Sequence, residues 1–94
     1  MDLTYEYHKF DNAEDAYNRA LQVITPEYLA KWKVNADIDQ DEEELVLTAT
    51  GKGFTLSLEF ADTECYVSLK LSFVLKPLRG KILSEVEKKL TKEL

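Results

Sequence analysis

Phe54-Thr55-Leu56-Ser57-Leu58-Glu59-Phe60, then Cys65-Tyr66-Val67-Ser68-Leu69-Lys70-Leu71-Ser72-Phe73, decide the fold of this chain. In each, apolar and polar residues alternate, the period-2 pattern of a half-buried strand. The spacing predicts two consecutive antiparallel strands joined at Ala61-Asp62-Thr63-Glu64, with one apolar face and one face rich in Ser and Thr. Pro77 cannot donate to a ladder and is expected to end the second strand. From there the period lengthens. Leu78, Ile82, Val86, Leu90 and Leu94 fall on one helical stripe, widened by Leu83, so a C-terminal helix should dock on the apolar face. Between strand and helix lies the hinge Lys76-Pro77-Leu78-Arg79-Gly80-Lys81.

Working towards the N-terminus, Gly51-Lys52-Gly53 supplies the glycines that a tight hairpin turn needs where φ is positive. Leu45, Leu47 and Ala49 form the strand before it. The run Asp39-Gln40-Asp41-Glu42-Glu43-Glu44 carries too much like charge for a sheet interior and reads as a solvated hairpin loop. Trp32, Val34, Ala36 and Ile38 alternate with polar neighbours and predict a strand. Ala13, Ala16, Tyr17, Ala20, Leu21 and Ile24 recur at helical spacing, with Asp11 as N-cap and Glu14 completing a capping box. At Pro26 the helix either kinks or restarts, and Thr25 as a cap with Pro26 at the first position favours a restart. Leu3, Tyr5 and Tyr7 alternate with Thr4, Glu6 and His8 in an N-terminal strand. The order is β-α-β-β-β-β-α: an α+β fold, an antiparallel sheet of four or five strands with two helices packed on one face.

Ninety-four residues, 45% of them hydrophobic, suffice for one core and not for two, so residues 1–94 read as a single domain. The net charge of −6 works against general nucleic-acid binding. The charge is uneven. From Lys76 onward six basic residues face three acidic ones, leaving +3 on the final segment and −9 on the rest. A lone cysteine, Cys65, forms no internal disulfide and reads as a small buried hydrophobe. With no apolar run near the length of a membrane span and no secretory signal at the start, the expected setting is the cytoplasm.

No arrangement of residues points to catalysis, a cofactor or a metal. Asp37, Asp39 and Asp41 have the opening spacing of a calcium loop, but Glu42 stands where that loop needs glycine and Thr48 where it needs a bidentate acid. His8 is the only histidine and has no evident triad or ligand partners. No carboxylate is expected in an apolar pocket that would raise its pKa. Gly51-Lys52-Gly53 lacks the following helix of a phosphate loop. Two surfaces remain as candidate interaction sites. One is the polar sheet face of Thr55, Ser57, Tyr66, Ser68, Lys70 and Ser72, open to solvent, to a partner or to a second copy in a homodimer. The other is the basic hinge of Lys76, Arg79 and Lys81. An apolar gap between the two helices is a further place for a small molecule.

The sequence resembles a small bacterial family, the polyhydroxyalkanoic acid system proteins. The resemblance is carried by His8-Lys9-Phe10, Glu14-Asp15-Ala16 and Ala20, by Gly51-Lys52-Gly53-Phe54, and above all by Leu69 through Ile82 with the hinge at its centre. It is strongest from Gly51 onward. In the middle, the acidic run stands in place of a Trp-x-Gly-Asp stretch. The resemblance implies a bacterial cytoplasmic protein, a binding or regulatory role at polyhydroxyalkanoate storage granules, and no catalytic residues. The alternative, by analogy of strand and helix order, is an RNA- or ribosome-binding module that uses Lys76, Arg79, Lys81, Lys88, Lys89 and Lys92.

Overall fold

A computed structural model describes residues 2–32 and 35–94. Five strands form one antiparallel sheet: β1 (Leu3–Glu6), β2 (Ala36–Asp41), β3 (Val46–Gly51), β4 (Phe54–Phe60) and β5 (Glu64–Leu71). Their spatial order is β1-β5-β4-β3-β2. The four later strands are a meander, and β1 closes its far side, Tyr5 lying opposite Cys65. Helices α1 (Ala13–Val23), α2 (Pro26–Leu29) and α3 (Arg79–Glu93) contribute Ala16, Tyr17, Ala20, Leu29, Ile82, Val86 and Leu90 to the same core as the sheet's apolar face.

The alternation in β4 and β5 is realised: Phe54, Leu56, Leu58, Phe60, Cys65, Val67 and Leu69 are all buried. Four residues of the α3 stripe are buried too: Ile82, Val86, Leu90 and Leu94. At about 1.5–3 kcal/mol each they contribute on the order of 8 kcal/mol of gross stabilisation. Tyr17 meets Phe60 edge-on at 5.7 Å, and the Tyr7 hydroxyl donates to the carbonyls of Ala61 and Glu64, fastening the β4–β5 turn.

Local chemistry sets the helix ends. The cap of α1 is Asn12, not Asp11: its Oδ1 accepts from the Asp15 N–H at 2.8 Å, so Asp15 rather than Glu14 occupies the third helical position. Asn and Asp cap about equally well, and Ala13 and Ala16 are buried as the stripe predicts. After Ile24 the chain does restart. Thr25 Oγ1 accepts from the Tyr28 N–H and Pro26 opens α2.

Three further expectations are corrected. Trp32 ends a 3-10 turn (Ala30–Trp32) and is not in a strand; Lys33 and Val34 lie outside the described residues. The acidic run is only partly a loop, because β2 continues to Asp41 and the turn occupies 42–45. Like charge is tolerated there because β2 is an edge strand whose acids face Thr50, Thr48 and Val46, with no carboxylate opposite. In the turn Asp41 Oδ1 accepts from the Glu43 and Glu44 N–H groups, and Leu45 takes a left-handed φ of 55°.

The third correction bears on function. β5 stops at Leu71, well before Pro77, and residues Phe73–Leu78 form a 3-10 helix that contains the proline. The Ser72 N–H makes the last ladder-like bond, to the Gly53 carbonyl at 2.8 Å. The Ser72 carbonyl then accepts from Leu75 and Lys76, curling the chain out of the sheet. Phe73 therefore leaves the apolar face, and Leu78, 45% exposed, drops out of the buried stripe.

Burial and the nearby Glu59 charge push the Cys65 thiol up to about 12. A folded pKa above the ordinary 9.0 means that the protonated thiol stabilises the fold fully below pH 9, and that this contribution is lost as pH rises towards 12. Thermal melts from neutral pH to pH 11 should fall steadily above about pH 9, with a shallower fall for Cys65→Ala, whose lower starting Tm reflects the cavity. Parallel slopes for the two proteins would show the thiol to be accessible to water.

Candidate interaction surface

The sheet has one uncovered face, and the strand register lays it out in rows. Ser68 sits opposite Ser57, Ser57 opposite Thr48, and Thr48 opposite Asp39. Next to it, Lys70, Thr55, Thr50 and Asp37 form a second row, and Thr4, Tyr66, Glu59, Val46 and Asp41 a third. Of the residues expected on this face, Thr55, Ser57, Tyr66, Ser68 and Lys70 are there. Ser72 is not, because the strand has ended.

This face is weakly charged at its centre and acidic at its β2 edge. Tyr66 donates to Glu64 Oε1 at 2.7 Å, an interaction that raises its pKa. A shallow depression of about 520 Å³ opens beside it, with Asp39, Asp41, Glu44 and Glu59 among its lining residues. Asp37, Asp39 and Asp41 project at alternate positions of an extended strand, about 7 Å apart, and so do not converge on one ion. Among the described residues no group of three or more His, Cys, Asp or Glu side chains is placed to hold a metal. The His8 ring packs edge-on against Tyr5, and the His8 backbone N–H donates to the Leu94 carbonyl. Helices α1 and α3 touch, with Arg19 bridging to Glu93, so the expected gap between them is spanned by an ion pair.

The basic hinge divides into two kinds of residue. Arg79 is internal in its chemistry: it donates to the Leu69 carbonyl at 2.9 Å and pairs with Asp2. Asp2 in turn accepts from the Leu69 N–H, and this bond together with the Arg79 charge holds its carboxyl below the usual carboxylate range. The pair ties the start of the chain to the end of β5 and the start of α3. Lys76 and Lys81, by contrast, are exposed. Along α3, Lys88 and Lys89 approach Glu85 and Glu93, and Lys89 also lies 5.0 Å from the Tyr28 ring.

The residues that sequence reasoning misplaced are the ones that stand out. Phe73 is 86% exposed and Val74 81%, adjacent in the chain and at the outer end of the sheet. Leu75, between them and Lys76, turns inward and packs on the core beside the β3–β4 turn, where a Cβ on Gly53 would lie 3.6 Å from its Cδ1. One 3-10 helix thus has its inner residue anchored and its first two apolar residues presented to solvent. A clue was present in the sequence, because Phe73-Val74-Leu75 is a run of three apolar residues that breaks the alternation.

A family model described as putative polyhydroxyalkanoic acid system protein matches residues 7–94. No curated protein and no solved structure matches the chain.

Proposed function

We propose that this chain, which belongs to the family of polyhydroxyalkanoic acid system proteins, is a non-catalytic binding or regulatory protein that docks on polyhydroxyalkanoate granules in the bacterial cytoplasm. The observation that carries this reading is the exposure of Phe73 and Val74 on an anchored 3-10 helix. Two large apolar side chains side by side in water are a cost that a contact surface recovers. Burying them against an apolar phase is worth about 1.5–3 kcal/mol each before ordering costs are subtracted, enough for reversible attachment. A granule offers many equivalent places, so rebinding strengthens attachment further.

Purified protein mixed with native granules is expected to pellet well above an unrelated acidic control protein. Pelleting no greater than the control would remove the reading. The RNA-binding alternative is weakened by chemistry already described, since Arg79 is paired with Asp2 and Lys89 lies against Glu93 and the Tyr28 ring. A gel assay at low salt should show no shift of RNA.

A further inference from the structure

We propose that the Phe73–Lys81 segment is a peripheral anchor for an anionic lipid layer, with Phe73 and Val74 entering the acyl boundary and the surrounding lysines meeting the head groups. This deepens the granule reading, resting on the same surface and naming the chemistry it takes up.

Along the strands most of the negative charge lies at one end and lysines lie at the other, with Asp37 of the edge strand β2 as the exception. The Ser72 N–H bond to Gly53 brings the β3–β4 turn, with Lys52, against the start of the 3-10 helix. Lys70 lies two residues before Ser72, opposite Thr55, at the same end of the sheet. With Lys76 and Lys81, which flank the hinge in sequence, four exposed lysines lie at the end of the molecule that presents Phe73 and Val74. At this end Asp2 is paired with Arg79, and Asp37 lies across the sheet from Lys70, on the far edge strand β2. The acidic turn with Glu42, Glu43 and Glu44, which joins β2 to β3, lies at the opposite end, as does the β4–β5 turn with Asp62. β4 runs between these ends over seven residues. At about 3.3 Å per residue the two ends are over 20 Å apart, more than twice the Debye length of about 8 Å at physiological salt. A net charge of −6 is thus screened from a surface that meets the lysine end.

Exposed aromatic and aliphatic side chains ringed by lysine match the layered chemistry of an anionic interface, where the apolar part enters the boundary and each basic residue gains from the surface potential. A purely apolar phase would give the lysines nothing. A nucleic acid would leave Phe73 and Val74 uncovered unless bases stacked on them.

The test uses the full chain and three kinds of particle: vesicles of phosphatidylcholine alone, vesicles with equal parts phosphatidylglycerol, and lipid-free polyhydroxyalkanoate particles. The expected result is co-sedimentation with the phosphatidylglycerol vesicles and at least tenfold weaker binding to phosphatidylcholine alone. Lys76→Ala and Lys81→Ala should each lower binding about fivefold, and Phe73→Ser with Val74→Ser by more than about tenfold, without change in the far-ultraviolet circular dichroism. Equal binding to both vesicle types, or none to either, overturns the proposal. Binding to lipid-free particles but not to vesicles overturns it while the granule reading stands. Binding to anionic vesicles with none to native granules supports it and removes the granule reading. A dimer dissolved by the Phe73 and Val74 substitutions, with no vesicle binding, would assign the surface to a second copy and overturn it.

Discussion

Val86→Asp is expected to leave the domain unfolded at room temperature. Val86 is fully buried on α3, in the stripe that holds this helix over β1 and β5 and against α1. The substitution removes about 1.5–3 kcal/mol of apolar burial and places a carboxyl in a core that, among the described residues, holds no buried cation. Among the described residues the core consists of aliphatic and aromatic side chains and Cys65, with no buried charge. An unpaired buried carboxyl costs several kcal/mol whether it stays charged or takes up a proton. The total matches the entire stability expected of such a domain, about 5–14 kcal/mol at roughly 0.05–0.15 kcal/mol per residue. Circular dichroism should show no cooperative melt, whereas Val86→Ala should retain one at lower temperature. A Val86→Asp melt near that of the wild type would disprove the assignment of the α3 stripe to the core.

Gly53→Val is expected to be the next most damaging change, and it acts at the junction that presents Phe73. Gly53 has φ of +72°, a left-handed conformation that costs an L residue about 1–2 kcal/mol and a β-branched one more. A Cβ there would also lie 2.7 Å from Ser72 Oγ and 3.0 Å from Ser72 Cβ. The hydroxyl can rotate away, but the Ser72 Cβ cannot move without shifting the backbone that bonds to the Gly53 carbonyl. Together these effects should cost about 2–4 kcal/mol. At roughly 4–8 °C per kcal/mol for a domain of this size, Tm should fall by about 10–25 °C. Combining the change with Ser72→Gly should recover the part due to the clash and leave the part due to φ. A Tm unchanged in Gly53→Val would refute the left-handed turn.

How far the sequence reveals this molecule depends on how local the deciding interaction is. Strands β4 and β5, the Gly51-Lys52-Gly53 turn, the Pro26 restart and the buried residues of α3 are legible because periodicity and turn chemistry act over a few neighbours. The α1 cap is misread by one residue because Asp11, Asn12 and their i+3 partners are chemically near-equivalent. The acidic run reads as loop because edge position in the sheet is a property of the whole topology. The end of β5 is the more instructive case. Alternation continues through Ser72 and Phe73, and what overrides it is the 3-10 turn in which the Ser72 carbonyl accepts from Leu75 and Lys76, with Leu75 packed on a core assembled from distant parts of the chain. For the same reason Arg79 looks like part of an open basic cluster in the sequence, while its pairing with Asp2 spans almost the whole chain. The polar sheet face was foreseen nearly residue for residue. The apolar part of the candidate surface was hidden by its own resemblance to a core pattern.

The central claim is that Phe73 and Val74 form a working surface and contribute little to holding the fold together. It is tested most directly by measuring thermal stability and granule co-sedimentation on the same preparation of the Phe73→Ser, Val74→Ser double variant. Exposed substitutions of this kind change stability by about 0.5 kcal/mol or less each, so Tm should stay within about 5–8 °C of the wild type. Pelleting with native granules should fall to the level of the control protein. Wild-type pelleting by the double variant, or a Tm lowered by more than about 15 °C, would contradict the account.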